Sequence, residues 1–573
     1  MREKLVEFVL ENGLSPFSQG KSLIKKGEGI YKTKDARQIH VKVLGKLSGS
    51  FVFGETGNVW NCFGIDSSVD EIRKRQAFFK EVRNVKKEVG SVLGKLVKPR
   101  ASWKPRYDVV VVTEDESTFV RLNELSCGVI LLSNQNDVSD LERYDVVQVV
   151  DCDDFVSVLE RLPQGVFLDS VEDVYLERYL EELSGWRENF AILNGADVSS
   201  GLRDCLDLLI EPFVLLENKE GMIISEGEVE AALEEINEEV SEGIKGMMIS
   251  GEVMMKMLSE GKMSDEILAL VRASIERSGL PEHVFNLGVP VSIDYKELEA
   301  QIRIQSATEF TDVAERIKRS ASKLKGIPEI LARLEAELIV EDFCCGVAKY
   351  FEDEMKVPEV GEDLYLGDGL NLFLTKPQPI SFILNDSARC SILTGANSGG
   401  KTTLLEHVLQ NISLFRMGLS IIGDFRSPIF DEVYYFAKTK GSTSKGAFET
   451  LLTQMSQIKY GKNTLILADE IEAVTEPGVA GKIIGATAEY FVSKGCFVIL
   501  ATHLGAEIAK ALPKGARVDG IEASGLDEDF NLIVNHNPVL GRLASSTPEL
   551  IVERMAGSFG GEYFKHLLER VKK

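Results

Sequence analysis

Eight consecutive residues, Gly395-Ala396-Asn397-Ser398-Gly399-Gly400-Lys401-Thr402, restrict what this chain can fold into more than any other stretch of it. In the spacing Gly-x-x-x-x-Gly-Lys-Thr, successive backbone N–H groups curl round phosphate oxygens, and a side chain at the glycine positions would block that approach. The flanks agree with the loop. Cys390-Ser391-Ile392-Leu393 reads as a short buried strand, and Thr403-Leu404-Leu405-Glu406-His407-Val408-Leu409 opens a helix that stops at Gly418. That order aims the unpaired amides and the positive dipole end of the helix at a phosphate. The expectation is a nucleotide cradle made of Gly395, Ala396, Asn397, Ser398, Gly399, Gly400, Lys401, Thr402 and Thr403. In it Lys401 reaches the β/γ-phosphates of ATP, and the Thr402 hydroxyl takes a position on Mg2+.

A Gly-Lys-Thr loop can arise by chance, so the weight falls on two strands downstream of it. Asn463-Thr464-Leu465-Ile466-Leu467-Ala468-Asp469-Glu470 is an apolar strand ending in two adjacent carboxylates. Asp469 is placed to hold the metal, directly or through water, and Glu470 to polarise an attacking water one residue further out. A third strand, Cys496-Phe497-Val498-Ile499-Leu500-Ala501, runs into Thr502-His503. It sets an imidazole at the carboxyl end of a sheet, where α/β folds bind ligands. Three independent elements in the order the chemistry needs leave little room for coincidence.

Together these residues resemble the MutS family of DNA-mismatch-repair ATPases, a branch of the ABC-type nucleotide-binding domains. The resemblance rests on Thr394 to Thr402, Asp469-Glu470-Ile471, Thr475-Glu476-Pro477-Gly478 and Ala501-Thr502-His503. The Leu-Ser-Gly-Gly-Gln signature of ABC transporters is missing, and the separation of Lys401 from Asp469 suits a domain without an inserted coiled coil. The resemblance extends from near residue 190 to residue 557. It implies a homodimer whose sites are completed across the interface, Glu470 and His503 as catalytic residues (water activation and γ-phosphate sensing), and Thr402 and Asp469 on Mg2+. Where the family carries Ser-Thr-Phe, this chain reads Gly446-Ala447-Phe448, so the serine that would touch a partner's γ-phosphate is absent; Ser442 and Ser444 are the substitutes within reach. Neither a mismatch-reading domain nor a C-terminal Smr nuclease domain is expected. Phe53-Gly54-Glu55 matches the mismatch-reading letters in surroundings that favour chance. The closest resemblance is to the archaeal second-paralogue branch, which implies ATPase activity with DNA binding that is not sequence-specific.

The formal charge of −25 opposes general nucleic-acid affinity, because phosphate contacts need lysine and arginine. Between Glu71 and Arg106, however, stand twelve basic residues (Arg73, Lys74, Arg75, Lys80, Arg83, Lys86, Lys87, Lys95, Lys98, Arg100, Lys104, Arg106) against Glu71, Glu81 and Glu88. Two readings fit: a solvated helix face, or a phosphate-tracking patch with Phe78, Phe79, Trp103 and Tyr107 as stacking or packing surfaces. No apolar run is long enough to span a bilayer and no signal peptide opens the chain, so a cytoplasmic location without membrane contact is expected. Eight cysteines without Cys-x-x-Cys pairs point to buried small hydrophobes rather than disulfides or zinc.

The expected fold class is an α/β ABC-type P-loop ATPase domain with an all-helical lever/clamp region and small N-terminal α/β and mixed domains. Four segments carry it. Residues 1–105 read as a small basic domain with strand patterns at Ile39–Val43 and Ser50–Phe53 and a turn at Gly54–Gly57. Residues 106–170 alternate apolar strands with short helices, as a connector does. Residues 171–355 turn helical: Ser225 with Glu228 is a capping-box signature, and Val229, Leu233, Ile236 and Val240 form a narrow seam. A run from Asp294 to Lys325 reads as one lever helix of more than about 40 Å. The methionines at 247, 248, 254, 255, 257 and 263 read as helical core. Residues 356–573 form the ATPase. The function expected is a duplex-DNA-binding ATPase, independent of mismatches, that closes a dimeric clamp. Its alternatives are a ribosome- or RNA-associated ATPase and a non-catalytic nucleotide-gated scaffold.

Overall fold

A computed structural model describes residues 1–18, 29–65, 68–101, 108–124, 128–134, 136–217, 225–247, 263–395, 400–437, 445–470, 477–510, 512–526, 532–544, 548–559 and 561–571. They form two compact units. One comprises Met1–Val97, Gly195–Arg203 and Ala332–Lys573; the other comprises Lys98–Asn194 and Asp204–Leu331.

The first unit is built on six strands, β1 (Cys390–Gly395), β2 (Glu432–Phe436), β3 (Thr464–Asp469), β4 (Phe497–Ala501), β5 (Ala516–Leu526) and β6 (Leu532–Leu540). Its helices include α1 (Lys34–Ser48), α2 (Val69–Val82), α3 (Lys401–Met417), α4 (Lys445–Ser456) and α5 (Pro477–Ser493). The strands lie in the order β2-β3-β4-β1-β5-β6, parallel except for the β5/β6 pair. Runs such as Leu465–Ala468 and Phe497–Ala501 are buried throughout because helices cover both faces of a parallel sheet. On one face Ile466, Ala468, Val498 and Leu500 pack with Met455 of α4 and Ile484 and Phe491 of α5. α3 lies on the other.

α3 is apolar on almost every side, with Leu404, Leu405, Val408, Leu409, Ile412 and Phe415 at most 1 % exposed. A helix of that kind needs cover on its outer side as well. α1 supplies it, burying Ala36, Ile39, Val43, Leu44 and Leu47. Just before α1, Tyr31 bridges to Val433 beside β2, and its hydroxyl lies 2.6 Å from Ser413 Oγ of α3. The strand reading of Ile39–Val43 is thereby corrected. Thr33 caps α1 by accepting the Ala36 N–H, and Ile39 and Val43, four apart, share one helical face. Ser50–Phe53 is likewise no strand, while the expected turn is present at Gly54 and Glu55 and leads straight into a 3-10 helix, Thr56–Cys62. The first 97 residues belong to the same compact unit as residues 332–573 rather than standing apart.

In the second unit four parallel strands, Val129–Leu131, Val109–Thr113, Val146–Val149 and Gly165–Phe167, stand in that spatial order. This is the α/β content expected of residues 106–170. The helix Glu226–Gly246 begins on the capping box: Ser225 Oγ accepts from Glu228 N at 3.3 Å, and the Glu228 carboxylate accepts from Ser225 N at 3.0 Å. Its seam residues Val229, Ile236 and Val240 are buried, with Leu233 beside them, against Ile267, Val271 and Ile275 of Asp265–Ser278. Met247 and Met263 pack on the same core; Met248, Met254, Met255 and Met257 lie outside the described residues. The long run is shorter than expected. Tyr295–Arg319 is one helix of 25 residues, about 37 Å, ending at Ser320 before a separate turn, Ala321–Leu324. Its Leu298 and Ile302 join the seam core, while Phe310, Val313 and Ala314 join the sheet core.

Candidate nucleotide site

The carboxyl ends of β1, β3 and β4 bring the expected residues together. Gly395 ends β1 at φ 139°, and a Cβ there would stand 2.5 Å from the Ile521 carbonyl oxygen of β5. Gly400 caps α3 at φ 90°, where a Cβ would meet His536 Nδ1 at 2.9 Å. Both positions therefore require glycine, for backbone conformation and for space. Ala396, Asn397, Ser398 and Gly399 lie outside the described residues. Lys401, only 4 % exposed, donates from Nζ to the Gly395 carbonyl at 2.7 Å, so its ammonium is folded back to the end of β1. Thr403, next along α3, has its carbonyl taken by Asn371 Nδ2 at 3.4 Å.

From the first turn of α3, the Thr402 hydroxyl donates to Asp469 Oδ2 at 2.6 Å. Asp469 is the last residue of β3 and 3 % exposed. A hydroxyl and a carboxylate in contact at the end of a sheet are hard oxygen donors of the kind Mg2+ takes, so the pair fits the expected metal. Glu470 follows at φ 46°, with its N–H donating to Ala501 O at 2.9 Å. A left-handed backbone is unfavourable for a residue bearing a side chain and concentrates at functional sites. The turn carries the Glu470 carboxylate out to His503, whose Nε2 stands 3.3 Å from Glu470 Oε1. With side chains 13 % and 37 % exposed, the two form a partly wetted pair beside Thr402 and Asp469.

His536 escaped the motif reading. It lies on β6, the antiparallel strand of the six-stranded sheet, and comes against Gly400 through the return of β6 alongside β5. Its N–H is held by Gln378 Oε1 at 3.3 Å. The one signal in the sequence is the polar run Asn535-His536-Asn537 inside an otherwise apolar strand.

The basic segment divides. Phe78 and Phe79 of α2 are buried in an aromatic core with Trp60, Phe63 and Phe343, so they stack on no base. Arg75, 5 % exposed, donates to the Gly64 and Arg416 carbonyls, and Arg83 to those of Glu352 and Asp353. Lys86 pairs with Asp197. Arg73, Lys74, Lys80, Lys95, Lys98 and Arg100 are exposed, whereas Trp103, Lys104, Arg106 and Tyr107 lie outside the described residues. Phe53 and Glu55 are also buried, Glu55 accepting from Ser15 N and Ser18 Oγ. Ser442 and Ser444 lie outside the described residues, as do Ile471 to Glu476. Among the described residues no helix is long and apolar enough to cross a membrane, and no cluster of His, Cys, Asp and Glu has the makings of a further metal site.

A glycine loop between a central parallel strand and a buried helix, faced by a strand-terminal carboxylate pair, defines the P-loop ATPase class of domain. No family model matches the chain. It is 30 % identical over 589 residues to the DNA-binding protein MutS2 of Pyrococcus furiosus, an alignment covering 94 % of this chain and 98 % of that protein. The chain therefore belongs to the MutS family and is MutS2-like over nearly its whole length. It is also 26 % identical over 269 residues to the DNA mismatch repair protein MutS of Thermus aquaticus, across 45 % of this chain and 32 % of that one. To the endonuclease MutS2 of an Anaeromyxobacter species it is 32 % identical over 167 residues, 27 % of this chain and 21 % of the other.

Proposed function

We propose that this protein is an ATPase that binds duplex DNA without sequence or mismatch selectivity, and that ATP closes a homodimeric clamp of helical arms. The observation that carries the catalytic half is the Thr402–Asp469 hydrogen bond of 2.6 Å, with Glu470 and His503 immediately beyond it. In this reading Thr402 and Asp469 hold Mg2+, which when bound screens the charge of the phosphates. Lys401 swings from the Gly395 carbonyl to the β/γ-phosphates, and the loop amides with the α3 dipole take up the remaining negative charge. Glu470 accepts the proton of the attacking water, and His503 orients that carboxylate and faces the γ-phosphate. The DNA half is supported by the name of the Pyrococcus furiosus relative and by the exposed lysines and arginines between Arg73 and Arg100. The dimer and the clamp are carried over from the family.

The test is ATP hydrolysis with and without Mg2+, for the parent and for Lys401→Ala, in the presence of perfect duplex, mismatched duplex, single strands or ribosomes. Magnesium-dependent turnover lost in Lys401→Ala and stimulated equally by both duplexes is the expected result. Stimulation by ribosomes alone would replace DNA with an RNA-bearing partner. Gly446 in place of the signature serine favours one second reading, a nucleotide-gated scaffold without turnover. Measurable hydrolysis would dispose of it.

A further inference from the structure

Tyr435 stands on β2 opposite Leu467 of β3, two residues before Asp469. Side chains alternate along a strand, and Tyr434, Phe436, Ile466 and Ala468 all join the core on the α4/α5 face. Tyr435, Leu467 and Asp469 therefore share the opposite face, the one α3 covers. On α3, Thr402 donates to Asp469, and Glu406 follows one turn later on the same side.

Within this layer the Tyr435 side chain is 2 % exposed, and its hydroxyl has no hydrogen-bond partner among the described residues. Its backbone is well held, the N–H donating to Thr33 Oγ1 at 2.9 Å. Burial first, then the nearby carboxylates of Asp469, Glu406 and Asp35, push the phenol above its ordinary range. At neutral pH the hydroxyl carries its proton, as a phenol ordinarily does, and is able to donate. A buried polar group without a partner is destabilising, and phenylalanine would fill the same space without that penalty. Among the described residues nothing supplies that partner, which leaves the hydroxyl open to a water or ligand.

We propose that Tyr435 is a positioning residue for the magnesium site, bridging the water shell of the cation at Thr402 and Asp469 to the carboxylates behind it. Mg2+ keeps several of its waters when it binds proteins, and those waters are strong donors. With the cation bound, the phenol oxygen would accept from one of them and its O–H would donate to a carboxylate. Tyr435 thereby orients the shell without touching the cation or the nucleotide. The role rests on the ATPase reading above.

Tyr435→Phe in the full chain tests it, with a fluorescent ATP analogue titrated at a series of Mg2+ concentrations and thermal denaturation followed in EDTA without nucleotide. Expected are unchanged nucleotide affinity in EDTA, a Mg2+ half-saturation raised about tenfold, and a melting temperature equal to or above the parent's. Hydrolysis should recover when Mg2+ is raised by the same factor. Superimposable Mg2+ curves for parent and variant would overturn the proposal while leaving the ATPase reading intact. A lowered melting temperature in EDTA would show instead a structural hydrogen bond and overturn it too. Absence of Mg2+-dependent nucleotide binding in the parent itself would remove the ATPase reading and this inference with it.

Discussion

Glu470 offers a perturbation in which chemistry and stability move in opposite directions. Its φ of 46° is left-handed, which costs a residue with a Cβ about 1–2 kcal/mol relative to the right-handed backbone. Replacement by glycine removes that strain but adds about 0.5–1 kcal/mol of freedom to the unfolded chain. The approach to His503 is 3.3 Å long between partly exposed groups, so its removal matters little. Glu470→Gly should therefore be more stable than the parent by about 0.5–1 kcal/mol. Glu470→Gln keeps the strain and the approach to His503 and should match the parent in stability. Both variants lose the carboxylate proposed as the base. Hydrolysis should fall about 10²-fold or more in each, with ATP still bound, because an amide accepts no proton and glycine has no group to accept one. Urea denaturation without nucleotide measures the first effect, and single-turnover hydrolysis beside retention of a fluorescent ATP analogue measures the second. Parent-like turnover in Glu470→Gln would refute the role of the base. A less stable Glu470→Gly would refute the claim that the turn is held under strain for the sake of the carboxylate.

Gly400→Ala should weaken binding of the ATP analogue about tenfold or more, since a left-handed cap costs alanine about 1–2 kcal/mol and its methyl group would stand 2.9 Å from His536 Nδ1; unchanged affinity in a nucleotide titration would mean the cap does not shape the cradle. Removing Lys86, Lys87, Lys95 and Lys98 together should weaken binding to perfect and mismatched duplexes alike and flatten its salt dependence, by up to about 0.9 in log–log slope for every phosphate no longer neutralised. An unchanged slope would move the DNA site to the helical arms, and ATP hydrolysis without DNA should be untouched. Burial lowers His40 and His407 to about 4, so both are neutral in the folded protein while the unfolded chain binds protons from about pH 6.5 downward. Their contribution to stability is present above that pH and lost as it falls, by about 1.4 kcal/mol per pH unit for each imidazole. The urea midpoint at pH 5 should accordingly lie below that at pH 7.5, with about half of the difference attributable to these imidazoles removed in His407→Leu; an unaltered difference would show that His407 does not titrate in this way.

What the sequence alone determined here is whatever depends on short covalent spacing. Glycines five positions apart followed by Lys401-Thr402, a capping residue three before its glutamate, and a carboxylate pair closing an apolar strand each dictate a local backbone and a local chemistry. Even so, Ile39 and Val43 were open to two periodicities, and only the need of α3 for cover on its outer side turned that stretch into a helix. Tertiary structure decided every pairing across long separations. Thr402 meets Asp469 from 67 residues away, and His536 reaches Gly400 because β6 returns antiparallel beside β5. Packing of distant segments also sorted residues of one chemical type into different fates, drawing Arg75 and Phe79 of α2 into the interior while Lys74 and Lys80 of the same helix stayed in water. The physical reason is that burial and the partnering of polar groups depend on which surfaces come to face one another. No local spacing records that, which is why the unpartnered hydroxyl of Tyr435, on the sheet face that carries Asp469, became visible only in the folded chain.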